Sequence, residues 1–169
     1  MAWKTSVLVV ANVTAASDEL IAALRERAGK GPAEFMLLLP ATGGDSAAAR
    51  REMQRALERM REAGLEVTGT VGDRDPVVAV HEVWDPRRFD EVVVSTLPTG
   101  ASRWLQIDLP HRVERLTDVP VRHVVAQPKE KPRRTYAPPP KPEHHGLLTP
   151  LETLGWSGKR QEQGRPAAR

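Results

Sequence analysis

The sequence predicts an α/β protein, a single doubly wound, five-stranded parallel sheet with helices on both faces. Three observations point to it. Five short runs rich in Val and Leu alternate with four helical patterns, the strand runs are apolar almost without interruption, and each helix opens at a recognisable cap. Uninterrupted apolar strands belong in a sheet covered on both faces, and helical crossovers between parallel strands supply that cover. Right-handed crossovers then bring all five strands into one sheet.

The first strand run is SVLVVAN, residues 6–12. The first helix follows from a Ser17 cap, with Asp18 and Glu19 suiting the positive end of its dipole and Leu20, Ile21, Leu24 and Ala28 forming an apolar stripe. FMLLLP, 35–40, is the second strand. Gly43 and Gly44 then link it to a helix capped by Asp45, which presents Met53, Ala56, Leu57 and Met60 to the core and stops at Gly64. The charges of RREMQRALERMRE lie outside that stripe and read as a solvated face. LEVTGTV, 65–71, is the third strand, followed by a helix with Asp75 as cap, Pro76 in its first position and Val77, Val80, His81 and Trp84 on one side. EVVVST, 91–96, is the fourth strand. The fourth helix is expected to begin at an Asp108 cap, with Pro110 in its first turn and Leu109, Val113 and Leu116 facing the sheet. VRHVVA, 121–126, closes the series, with Val121 and Ala126 at its ends.

An open parallel sheet binds ligands beyond the carboxyl ends of its strands, where the strand order reverses. Three loops are therefore candidates: 12–17, 40–46 and 95–108.

The 169 residues suffice for one α/β domain, 1–127, and a tail, 128–169. The tail is basic and Pro-rich, with little to bury, and is expected to be mostly disordered apart from GLLTPLETLGW at 146–156, which reads equally as a short docking segment or a transient helix. The net charge of +3 is uneven: residues 1–127 carry 16 Lys and Arg against 18 Asp and Glu, and the tail carries 9 against 4. The folded part thus offers no basic face, and specific nucleic-acid binding is not expected. Cysteine is absent, which excludes disulfides and thiolate chemistry. No run approaches the roughly 18 apolar residues of a membrane span, so a soluble, cytoplasmic protein is expected.

Two segments resemble the universal stress protein family. VTGTVGDRDPVVAVHEV is similar to the family's V-x-G-D-P-x-x-A-I, and SRWLQIDLPHRVERLTDVPVRHVV resembles its S-R-L-L stretch through Ser102, Arg103, Val113, Pro120, Val121, Val124 and Val125. The resemblance implies strand order 3-2-1-4-5 and a homodimer paired through the last strand. It also implies a nucleotide site at Asn12, Thr14, Pro40, Val71, Thr96, Thr99, Gly100, Ser102, Arg103 and Asp108, with ATP as the ligand of one branch.

That branch carries G-x2-G-x9-G-[S/T] after its fourth strand, and here the pattern departs. Ser95 and Pro98 stand where the first two glycines belong, and Ile107 and Asp108 replace the final Gly-Ser. Pro98 removes an amide donor, Ile107 puts a branched side chain where backbone must approach phosphate, and Asp108 sets a carboxylate beside it. Weak or absent ATP binding is expected, with Arg103 as the positive group of the loop. An alternative keeps an adenine nucleotide on Asn12, Thr99, Gly100 and Ser102, and another makes the tail an adaptor for a protein partner.

The remaining candidates carry less. Gly43-Gly44-Asp45-Ser46 lacks the Lys and spacing of a phosphate loop. His111 lies near Asp108 without a nucleophile, His81 is expected to be packed or at a boundary, and His144 and His145 have no third metal ligand. His123, alternating with valines, is expected to face a dimer partner. No Ser-His-Asp order, paired carboxylates or metal spacing is present, so a binding or regulatory protein is favoured over an enzyme.

Overall fold

A computed structural model describes residues 3–98 and 103–127. The tail and its 146–156 segment lie outside the described residues, as do Thr99, Gly100 and Ser102. The elements are β1 (Thr5–Val10), α1 (Asp18–Gly29), β2 (Ala33–Pro40), α2 (Ser46–Glu62), β3 (Val67–Gly72), α3 (Pro76–Val83), β4 (Glu91–Thr96), α4 (Arg103–Gln106), α5 (Leu109–Thr117) and β5 (Val121–Val125). The expected strands differ from these by no more than two residues at either end.

All strand pairs are parallel and the order is β3-β2-β1-β4-β5, as the resemblance implied. The period of two along each strand divides the core into two layers. Val7 and Val9 of β1, with Phe35, Leu37 and Leu39 of β2, face α1 and α2, meeting Leu20, Leu24, Met53 and Met60. Leu8, Val10, Leu38, Val92 and Val94 point the other way, onto Ala79, Val80, Leu109 and Val113 of α3 and α5. Each fully buried Val or Leu contributes about 1.5–3 kcal/mol, so both layers are strong determinants of the fold.

The helix starts follow the local chemistry. Ser17 Oγ accepts from the Leu20 amide at 3.2 Å, Asp45 Oδ1 from Ala47 and Ala48 at 2.9 and 3.0 Å, and Asp75 Oδ1 from Val77 and Val78 at 2.8 and 3.3 Å. Gly64 closes α2 at φ 81°, the left-handed position expected of it.

Three expectations are corrected. Ala28 is exposed and Ala23 is buried in its place, because the last turn of α1 brings Arg27 against Glu91 of β4 at 2.8 Å. His81 is exposed, since the buried side of α3 runs through Pro76, Ala79 and Val80. Asp108 does not cap α5. It adopts φ 52°, ψ 45° and makes no side-chain bond to a helix amide. A helix continuous from Arg103 is blocked by Pro110, whose ring would meet the carbonyl four residues earlier. The chain breaks at Asp108, a residue type that tolerates the left-handed region, so α5 begins where the fourth helix was expected, and α4 is an added short helix in the expected 95–108 loop.

Candidate functional site

The reversal of strand order lies between β1 and β4, and there the carboxyl ends of β1, β2 and β4 diverge around a cleft of about 300 Å³. Its lining comes from all three loops that the sheet rule singled out. Asn12, Val13 and Thr14 follow β1, Thr42 and Gly43 follow β2, Ser95 and Thr96 end β4 with Leu97 just beyond, and Arg103 and Trp104 from α4 complete the wall. A second hollow of about 410 Å³ shares Asn12, Val13, Thr42 and Gly43 and extends over Pro40 towards Asp45, Glu52 and Arg55.

Hydroxyls and one amide dominate the polar chemistry of the cleft. The Asn12 side-chain amide donates to Thr42 Oγ1, tying the first two loops together. Thr14 Oγ1 donates to the Ser95 carbonyl at 3.1 Å, tying β1 to β4. Thr96 Oγ1 lies 2.7 Å from Nε2 of His123 on β5. Ser95 Oγ is buried and has no hydrogen-bond partner among the described residues. Arg103 is exposed and is the one charged residue of the described lining.

The helix ends nearby differ in what they leave free. At α2 the Asp45 carboxylate already satisfies two of the amides that an anion would need, and those bonds hold its pKa below the ordinary carboxylate value. The Gly43-Gly44 turn therefore ends in a self-capped helix, as its sequence suggested. At α5 no side chain caps the amides, but Asp108 sits at that end and Pro110 removes a donor. The Asp108 carboxylate instead accepts from His111 Nδ1 at 2.6 Å, which raises the His111 pKa above 6.5.

Of the residues expected at the site, Asn12, Thr14, Thr96 and Arg103 come together in the cleft, and Pro40 borders the adjoining hollow. Val71 is half-buried against the α1/α2 core and lines neither. Asp108 is absent from both linings. The sequence reading missed Thr42 and Trp104. Thr42 stood in a flagged loop at the carboxyl end of β2, so its position was available. Trp104 also stood in a flagged loop, 95–108, but the short α4 that sets it into the wall was not foreseen. Among the described residues no group of three His, Asp or Glu is placed to hold a metal ion, and no helix is long and apolar enough to cross a membrane.

No protein-family model matches this chain, and no curated protein sequence matches it. Solved structures do. A universal stress protein from Archaeoglobus fulgidus superposes with a TM-score of 0.53 at 16% identity, over 71% of this chain and 93% of its own. A universal stress protein in complex with cAMP superposes with a TM-score of 0.52 at 21% identity, over 75% of this chain and 99% of its own. The chain has the universal stress protein fold.

Proposed function

We propose that this chain is a universal stress protein-like binding and regulatory protein of the cytoplasm, which holds a small adenine-containing ligand of low charge and does not catalyse a reaction. The observation that carries this reading is the cleft at the strand-order reversal, in which Arg103 is the single charged residue of the described lining. Its 300 Å³ lies at the lower end of the roughly 300–1,000 Å³ of small-molecule sites. Asn12, Thr42 and Thr96 suit ribose and base groups, which need both donors and acceptors. One guanidinium matches a single phosphate better than a triphosphate, and Pro98 lacks the amide donor that a glycine would offer in this loop. No carboxylate or imidazole belongs to the described lining, which supports binding without acid-base chemistry. The cAMP-bound neighbour of the same fold makes adenine nucleotides the first ligands to try.

The reading includes a homodimer through the last strand, 121–126. β5 has β4 as its one neighbour in the sheet, and Val125 is 41% exposed on it.

Isothermal titration with cAMP, AMP and ATP with Mg²⁺ tests the proposal. Binding of cAMP or AMP that is weakened at least tenfold by Arg103→Ala, with ATP the weakest ligand, is the expected result. ATP binding tighter than AMP binding refutes the low-charge preference.

A further inference from the structure

The hydrogen bond between Thr96 and His123 crosses a functional boundary. Thr96 lines the cleft and is 2% exposed, whereas His123 lies on β5, the strand at the open edge of the sheet. The two are 27 residues apart in sequence and meet because β4 and β5 pair in register, Val94 opposite His123 and Thr96 opposite Val125. Side chains two positions apart on neighbouring strands lie on the same face of the sheet, here the face covered by α5.

We propose that His123 is a positioning residue for the cleft: its imidazole sets the direction of the Thr96 hydroxyl proton, and the protonated ring turns Thr96 into a donor towards an anionic ligand. The chemistry follows from the two forms of the ring. A neutral imidazole protonated on Nδ1 accepts at Nε2, so the Thr96 O–H is spent on His123 and only oxygen lone pairs face the cleft. An imidazolium donates from both nitrogens, so Thr96 Oγ1 accepts from Nε2 and its own O–H is free to donate a hydrogen bond to the ligand. No proton leaves Thr96 in this exchange.

His123 is exposed as a residue, yet its Nε2 contacts the hydroxyl of buried Thr96, and burial pushes the imidazole pKa below 6.5. The free protein therefore holds the neutral ring near pH 7. Among the described residues, the charged groups on the packed elements pair elsewhere or make no bond to His123. Glu91 on β4 pairs with Arg27, and on α5 His111 pairs with Asp108 while Arg115 donates to the His111 carbonyl. Arg122 on β5 and Glu26 of α1 pair with each other at 2.5 Å. Arg112 and Glu114 of α5 make no ion pair or hydrogen bond with His123 among the described residues. An anion in the cleft is then the group able to favour the imidazolium, and binding and protonation reinforce each other.

This proposal rests on the cleft being a ligand site, and its test separates the two ideas. The probes are cAMP, which keeps one negative charge across the range used, and adenosine, which has none. In the wild type, cAMP affinity should rise about tenfold between about pH 7.5 and 5.5 while adenosine affinity changes less than about twofold, the size expected of one hydrogen bond to a charged partner. His123→Gln keeps a polar side chain without titration and should bind cAMP with a flat pH profile. A tenfold rise that survives in His123→Gln, or one shared by adenosine, overturns the proposal. In the ligand-free protein, the ¹⁵N resonance of His123 Nε2 should move in Thr96→Val, and an unmoved resonance overturns the coupling itself. Failure of both probes to bind, with the resonance moving as expected, refutes the ligand reading and with it the role in anion recognition, but leaves the coupling standing.

Discussion

The two ends of the sheet solve the same problem differently. At the amino ends, strands enter between charges: Lys4 meets Glu66 at 2.5 Å, the Ser6 amide donates to Asp90 at 2.9 Å, and Arg27 of α1 grips Glu91 at the start of β4. At the carboxyl ends, β1 and β4 stop in Asn12, Thr14, Ser95 and Thr96, neutral groups joined by single hydrogen bonds, one of which has no partner among the described residues. Polar groups that are already paired anchor a strand, and groups left with spare capacity can take a ligand. The difference gives anchoring to one end, and to the other the spare capacity that the proposed ligand site would use.

The contrast implies that the carboxyl end is held by packing and not by charge, and the largest expected effect tests that. A Cβ added at Gly72, the last residue of β3, would lie 2.7 Å from the Ala79 Cβ and 2.8 Å from Leu38 Cδ1. Ala79 is fixed by the α3 backbone and cannot swing aside. Gly72→Ala should therefore cost about 1–3 kcal/mol of unfolding free energy in urea titrations. A neutral result shows that α3 is free to move and that packing does not fix this end.

At the other end, Arg27→Ala removes the half-buried guanidinium from Glu91, whose side chains are 17% and 41% exposed. A loss of about 1 kcal/mol is expected, near the upper limit for partly exposed pairs, and raised salt should shrink it. A loss insensitive to salt reassigns the contribution from charge to packing of the arginine stem.

Ser95→Ala has the opposite sign. Its Oγ is buried without a partner among the described residues, so deleting it discards a desolvation cost, and the variant should gain up to about 1 kcal/mol. Destabilisation would mean that the hydroxyl is already satisfied, and the supposed spare capacity at this end would shrink accordingly.

What was legible in the sequence was local. The caps at Ser17, Asp45 and Asp75 and the left-handed Gly64 depend on residues within one turn, and all four were found where the sequence put them. Strand runs were equally readable, because burial on both faces leaves no polar alternation to misread. The site was legible by address: the three loops at the reversal point do form the cleft. Its wiring was not, since Asn12 with Thr42, Thr14 with Ser95 and Thr96 with His123 are joined across 30, 81 and 27 residues by strand register. The misread cap at Asp108 has a different cause. Pro110 signalled a helix start correctly, but the same local pattern fits a capping aspartate and a left-handed one that turns its carboxylate to His111.

The smallest expected effect concerns two histidines with opposite electrostatic histories. His111 has its pKa raised, first by its hydrogen bond to Asp108 and then by the charge of that carboxylate. The stability it contributes is therefore fully present below about pH 6.5 and is lost as pH rises through the raised folded value. His123 has its pKa lowered by burial, so its contribution is present above about pH 6.5 and is lost as pH falls. In urea unfolding, wild type should exceed His111→Asn in stability at about pH 5.5 and match it at about pH 8.5. The His123→Gln comparison should run the other way, with the variant gaining on wild type at the acid end. Parallel profiles for the two variants would show that Asp108 does not pair with His111 in solution. The αL aspartate would then be a turn residue alone, and the carboxylate near α5 would be free to repel an anion approaching the cleft.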